Sequence, residues 1–183
     1  ERTNADGKKT KISADNIIIA TGARAKWFPG IDPDGNQVIT YKEAMIPANQ
    51  PKSMIIIGAG AIGVEFAHFY QTFGTQVTLI EALPNILPNE DDEISKELEK
   101  IFKKRKMNIL TNTKVDKIEK LKTKVKVYLQ DNQIIEAEKA LIAVGVQANI
   151  EDLGLEECNI AVEKGWIKTN EFMETSQNNV YAI

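Results

Sequence analysis

Cysteine and histidine are almost missing: 183 residues hold one of each, Cys158 and His68. A single cysteine excludes an internal disulfide and fits a reducing compartment. Cys158 reads as a small buried apolar residue, with a reactive thiol as the alternative. A single histidine with no cysteine nearby lacks the partners of a typical transition-metal site. No metal ligand is therefore assigned, and His68 is expected on a partly exposed helix surface. Positive charge is not in excess, since 23 Lys and Arg face 26 Asp and Glu for a net charge of −3. That balance implies no nucleic-acid partner. No apolar run is long enough to span a bilayer as a helix, and no signal peptide is visible, so no membrane partner is assigned and a cytoplasmic location is expected. Repeats and low-complexity segments are lacking too. What remains is 43% hydrophobic and 27% charged, enough for a real core. The length suits one large domain, or one domain with pieces of a neighbour. The sequence begins at Glu1 rather than at methionine and ends at Ile183 just after an apolar run, so it reads as a piece of a longer protein.

The most informative stretch is Met-Ile-Ile-Ile-Gly-Ala-Gly-Ala-Ile-Gly-Val-Glu at 54–65. An apolar strand signal runs directly into Gly-x-Gly-x-x-Gly, and a helical pattern follows. A second strand, Val77-Thr78-Leu79-Ile80, ends in Glu81, eighteen residues past Gly63. That order is the dinucleotide fingerprint in its required context. Gly58 allows the tight turn, Gly60 lets a pyrophosphate approach the backbone, and Gly63 lets helix and strand pack closely. Free N–H groups at the helix start would face the phosphates. Glu81 would accept hydrogen bonds from the adenosine ribose and repel a 2′-phosphate, favouring NAD over NADP. The competing reading is a Gly-rich strand–helix turn that binds nothing.

Along the chain, residues 1–15 are polar with a turn at Ala5-Asp6-Gly7, like the end of a hairpin whose first strand is missing. Residues 17–20 read as a buried strand, broken by Thr21-Gly22-Ala23. Thr40 is placed to cap a short helix ending at Met45, and 46–52 is a linker with two prolines. The fingerprint helix is expected over 61–73, with Ile62, Phe66, Phe69, Tyr70 and Phe73 at helical spacing and Gly74 as its stop. Asn89 is placed to cap the next helix, whose apolar face would be Ile94, Leu98, Ile101 and Phe102. Acids at 90–93 and bases at 103–106 match the helix dipole, and the basic end reads as solvated surface. Residues 108–111 make a third parallel strand. Strands then follow at 115–121, 125–130 and 134–138, with Asp131-Asn132 as a hairpin turn. They form an antiparallel meander with one wet face. Residues 140–144 are a further apolar strand closed by Gly145. The fold class is therefore α/β: a Rossmann-like doubly wound parallel sheet plus an antiparallel meander, a three-layer domain.

Four motifs stand in order: Ile-Ile-Ile-Ala-Thr-Gly-Ala at 17–23; the 58–65 turn with Glu81; Ala-Leu-Ile-Ala-Val-Gly-Val-Gln-Ala-Asn at 140–149; and Asn-Val-Tyr-Ala-Ile at 179–183. Together they resemble the pyridine nucleotide–disulfide oxidoreductases over the whole chain, and within them the dihydrolipoamide dehydrogenase branch. Ala148 departs from the family, where proline is common. The resemblance implies a FAD domain split around an NAD domain: 1–25 as the tail of its first part, 26–146 as the NAD domain, and 147–183 as the return. Gly58, Ala59, Gly60, Ala61, Ile62, Gly63 and Val64 would wrap the NAD pyrophosphate and ribose. Glu65 would lie near the nicotinamide, or be a plain exposed helix carboxylate. Val115 would flank the adenine, or be ordinary core. Gly145 would approach the nicotinamide, or merely end a strand. Thr21, Gly22 and Ala23 would lie near the flavin. No catalytic residue falls within the chain. A full-length parent would be a homodimer that reoxidises lipoyl domains of 2-oxo acid dehydrogenase complexes through FAD and NAD. Other flavoprotein reductases (NADH oxidase, mercuric or CoA-disulfide reductase) and a non-catalytic nucleotide-sensing module are the alternatives; a flavin-binding fingerprint fits less well, because Glu81 leads to Ala82-Leu83-Pro84.

Overall fold

The computed structural model describes residues 5–183 and the backbone of Arg2 and Thr3. The chain forms two compact units, residues 25–146 and residues 1–24 together with 147–183.

In the first unit the elements are β1 (Val38–Ile39), α1 (Tyr41–Met45), β2 (Ser53–Ile57), α2 (Ala61–Thr72), β3 (Gln76–Ile80), α3 (Asp92–Lys104), β4 (Asn108–Leu110), β5 (Val115–Lys120), β6 (Val125–Leu129), β7 (Ile134–Ala137) and β8 (Lys139–Ile142). Five strands form a sheet in the order β1-β8-β2-β3-β4, and every neighbouring pair is parallel. The apolar runs are explained by burial on both faces, with alternate residues entering different layers. Met54, Ile56, Val77, Leu79 and Leu141 pack on the helical side with Ala67, Tyr70 and Phe102. Ile55, Ile57, Ile80, Ala140 and Ile142 pack on Val125, Val127 and Leu129 of the meander. The meander is antiparallel in the order β7-β6-β5. Its Asp131-Asn132 turn forms as expected, with Asn132 left-handed at φ 66° and the Gln133 N–H donated to the Asp131 carboxylate at 3.0 Å.

From β2 the chain steps outward through β3 to β4, then returns as β8 on the other flank of β2. The strand order reverses at β2, so the crevice past its carboxyl end is the topological switch point, where open α/β sheets take ligands. Two glycines shape that crevice. Gly58 has φ 99°, and a Cβ there would lie 2.4 Å from the Ala143 carbonyl oxygen. A Cβ on Gly63 would lie 1.9 Å from the Gly58 carbonyl oxygen. Only glycine permits this contact among β2, α2 and the end of β8.

Several local expectations are corrected. Phe69 of α2 and its C-cap Phe73 are exposed, and the buried residues of the helix are Gly63, Val64, Ala67 and Tyr70. The two exposed rings pack on each other, 4.8 Å between centroids. The α3 cap is Asp91, whose carboxylate accepts from the Glu93 N–H at 2.8 Å, not Asn89. A turn with Leu87 left-handed, closed by the Glu90 N–H on the Leu87 carbonyl, delays the helix. Its inward residues are Ser95, Leu98 and Phe102, while Ile94 and Ile101 are exposed. Thr40 caps α1 as expected, in a capping box with Glu43. Strand β1 escaped notice because two residues carry no period.

In the second unit, Ile17–Ile19 pairs in parallel with Val180–Ala182. The expected buried strand is instead exposed at Ile17 and Ile18, because this two-stranded sheet gives the run a single paired neighbour. Arg2–Thr3 pairs with Lys9–Thr10, so both strands of the N-terminal hairpin are in the chain; residues 1 and 4 lie outside the described residues. Cys158 is exposed rather than buried. Arg24 holds this unit's two chain segments together. Its guanidinium donates to both carboxylate oxygens of Glu151, at 2.5 and 3.0 Å, and to the Asn149 side chain at 2.9 Å.

Gly63→Val is expected to wedge α2 off β2 and cost roughly 1–3 kcal/mol, read as a lowered midpoint in urea unfolding. The Arg24 hydrogen bonds hold the Glu151 carboxyl at about 2, below its ordinary 4.5. A depressed carboxylate stabilises the fold above its unfolded pKa, and that contribution is lost as pH falls from 4.5 towards about 2. In Arg24→Gln the Glu151 carboxyl should return to its ordinary range, measured by carbon NMR titration.

Candidate functional site

A cleft of about 740 Å³ opens at the carboxyl ends of β2, β3 and β8. Its floor is core: Ile57 and Ile80 end their strands there. The turn after β2 is held from several sides. The Gly58 N–H bonds the Ile80 carbonyl at 2.8 Å, the Ala143 N–H bonds the Ile57 carbonyl at 2.7 Å, and the Leu87 N–H bonds the Ala59 carbonyl at 2.7 Å. Gly60 is the N-cap of α2 and supplies no side-chain cap. The first N–H groups of the helix therefore lack that partner, and the dipole puts partial positive charge beside them. A Cβ built on Gly60 meets nothing within 4 Å. Free donors, positive potential and open space together make a seat for an oxyanion, and the residues present fit a dinucleotide pyrophosphate.

Glu81 is nearly buried, at 8% exposure. Its Oε2 accepts from the Ala59 N–H at 2.8 Å and its Oε1 from the Leu83 N–H at 2.9 Å. The carboxylate thereby staples the glycine turn to the loop after β3. Each oxygen retains acceptor capacity towards the cleft.

Of the residues singled out from sequence, Gly58, Gly60, Ala61, Ile62, Glu81, Val115 and Gly145 line this one cleft. Gly145 is left-handed, at φ 111°. Ala59, Gly63 and Val64 are buried. Glu65 is exposed and is not part of the cleft lining. Thr21, Gly22 and Ala23 belong to the other unit, beside a cavity of about 320 Å³ that also touches Ala148 and Trp166. Sequence reasoning missed Leu83, Asn89, Lys114 and Gln130 in the cleft lining. They come from loops, and the one local signal is the Asn112-Thr113 bend, where Asn112 is left-handed. His68 is exposed, with Nδ1 3.0 Å from the Arg105 guanidinium. Among the described residues no three His, Cys, Asp or Glu side chains are grouped to hold a metal, and no helix is long and apolar enough to cross a membrane.

The whole chain, residues 1–183, matches the pyridine nucleotide-disulphide oxidoreductase family and belongs to it. Within that family it is similar to dihydrolipoyl dehydrogenases. It is 42% identical over 184 residues to that of Rhizobium etli, covering 98% of this chain and 38% of that protein. It is 40% identical over 188 residues to that of Bacillus subtilis, covering 100% and 40%. Among solved structures, LpdA from Mycobacterium tuberculosis superposes with a TM-score of 0.91 at 29% identity, over 98% of this chain and 39% of that one. The HOCl-induced flavoprotein disulfide reductase RclA from Escherichia coli gives 0.84 at 30% identity, over 94% and 40%. The chain thus spans about two fifths of the length of these relatives.

Glu81→Ala is expected to leave the Ala59 and Leu83 N–H groups without their carboxylate, costing about 1–3 kcal/mol. Amide hydrogen exchange should quicken at both positions while the β6 amides stay protected.

Proposed function

We propose that residues 26–146 are the NAD-binding domain of a dihydrolipoamide dehydrogenase. In this reading residues 1–25 and 147–183 are parts of a FAD domain split around it. The observation that carries the reading is the uncapped start of α2 at Gly60, open to the cleft, with the Glu81 carboxylate fixed at the end of the next strand. The backbone from Gly58 to Ile62 binds the pyrophosphate through N–H groups at the helix start. Glu81 accepts from the hydroxyls of the adenosine ribose. Val115 flanks the adenine, and Gly145 leaves bare backbone beside the nicotinamide. Glu65, one turn into α2 and exposed outside this cleft, is assigned close to the nicotinamide side, beyond the cleft lining itself. Thr21, Gly22 and Ala23 lie by the flavin.

NAD supplies a hydride acceptor when bound; the chain supplies binding and orientation. The parent enzyme oxidises dihydrolipoamide with FAD and NAD, acts as a homodimer on lipoyl domains of 2-oxo acid dehydrogenase complexes, and works in the cytoplasm. Its thiol–disulfide exchange needs two cysteines, and this chain has one. By itself the chain is therefore expected to be inactive towards dihydrolipoamide. The roughly 40% identity to dihydrolipoyl dehydrogenases supports this parent over other flavoprotein reductases.

Calorimetric titration of the chain tests the site. NAD is expected to bind more tightly than NADP by on the order of a hundredfold, because a 2′-phosphate would sit against the Glu81 carboxylate. Equal affinities would defeat the role given to Glu81. Gly60→Val is expected to abolish NAD binding with a nearly unchanged thermal midpoint, since a Cβ there meets no protein atom within 4 Å and the added bulk would compete with a pyrophosphate at the helix start. Normal NAD binding by that variant would place the nucleotide elsewhere.

A further inference from the structure

Asn149 lies outside the nucleotide cleft, yet its half-buried side chain is bonded at both ends. The carboxamide oxygen accepts from the Arg24 guanidinium at 2.9 Å. The carboxamide nitrogen donates to the Thr21 carbonyl at 3.1 Å. The Asn149 backbone N–H donates to the Gly22 carbonyl at 2.9 Å. A guanidinium can only donate and a carbonyl only accept, so one orientation of the carboxamide serves both partners. Aspartate in its place would offer Thr21 no donor, and an apolar side chain would offer neither group. Arg24 is itself fixed by both Glu151 carboxylate oxygens, at 2.5 and 3.0 Å. A relay therefore runs from Glu151 through Arg24 and Asn149 to the backbone of Thr21 and Gly22, inside one compact unit.

What the relay holds is a bend at the end of a strand. Ile17–Ile19 pairs in parallel with Val180–Ala182, and the chain leaves the carboxyl end of that pair through Thr21 and Gly22. Gly22 is left-handed at φ 70°, and a Cβ built there meets no atom within 4 Å. Thr21, Gly22 and Ala23 line a cavity of about 320 Å³ together with Ala182 and Ile183. Bare backbone, open space and the carboxyl end of parallel strands fit a nucleotide cofactor, so these residues suit the flavin assigned to them. The Thr21 carbonyl is turned to Asn149. The N–H across that trans peptide, on Gly22, therefore points the opposite way.

We infer that Asn149 is a positioning residue for the flavin: oriented by Arg24, its carboxamide sets the Thr21–Gly22 bend, and with it the Gly22 N–H, against which the flavin nucleotide lies. This rests on the reading of residues 1–25 and 147–183 as parts of a FAD domain. It adds two side chains, Arg24 and Asn149, that act through the backbone of the bend.

Variants of the flavin-loaded parent enzyme, numbered as here, test it. FAD dissociation constants are read by fluorescence titration of the stripped enzyme, beside its melting temperature and a calorimetric titration with NAD. Asn149→Asp keeps the bond from Arg24 and loses only the donor to Thr21. It should weaken FAD about five- to tenfold and shift the flavin absorbance band. NAD affinity should stay within about twofold and the melting temperature within a few degrees. Glu151→Gln weakens the clamp on Arg24 but leaves both Asn149 bonds, so FAD affinity should stay within about twofold even where the melting temperature falls. Unchanged FAD affinity in Asn149→Asp overturns the inference while leaving the flavin reading in place. A loss of FAD that follows the melting temperature through both variants, or that NAD shares, marks Asn149 as packing and overturns it too. A parent enzyme that holds no FAD overturns the flavin reading itself, and this inference with it.

Discussion

The mouth of the sheet depends on backbones that meet with no side chain between them. Gly58, Gly63 and Ala143 bring the end of β2, the first turn of α2 and the end of β8 within a single layer of atoms. Because a Cβ at either glycine would strike a carbonyl oxygen, the axis of α2 is set close over the strand. The helix start is thereby aimed across the cleft. The two cores follow from the same arrangement. Met54 and Ile56 enter the helical side while Ile55 and Ile57 enter the meander side, so β2 is locked from both faces and its end cannot drift.

Glu81 ties the second half of the cleft to the first. A carboxylate this buried is costly unless its oxygens are satisfied, and here backbone N–H groups satisfy them. The bonds run from the end of β3 to the glycine turn and to the following loop. Charge, turn geometry and loop position are consequently set by one side chain.

Much of this was legible in the sequence because its causes are local. The strand–turn–helix at 54–65, the Thr40 capping box and the Asp131-Asn132 hairpin each follow from chemistry within a few residues. What was not legible depends on partners far along the chain. The spacing of Phe69 and Phe73 is helical, but only packing decides that Tyr70 and Ala67 face inward and those two rings do not. Asn89 and Asp91 both suit a cap; the left-handed turn at Leu87 selects Asp91. Ile17 and Ile18 read as buried because three isoleucines in a row usually are, yet the strand has one paired neighbour. Cys158 followed composition rather than place. In the cleft, the fingerprint marked the floor and middle. Leu83, Lys114 and Gln130 were invisible because they arrive through the Asn112–Leu83 and Gln130–Lys114 backbone hydrogen bonds.

The cross-bonded glycine turn has a kinetic consequence. The turn is held on the protein side through the Gly58 and Ala59 N–H groups and the Ala59 carbonyl, while the N–H groups at the helix start stay open, so an anion arriving there has little chain to immobilise. For a nucleotide bound as proposed, association is then expected at the rate at which ligand and cleft meet in a suitable orientation. Ligands that share the same phosphate group will differ chiefly in how long they stay. For such a ligand the groups on either flank of the turn would then set the residence time, and those flanks, more than the turn itself, are where this architecture can be retuned.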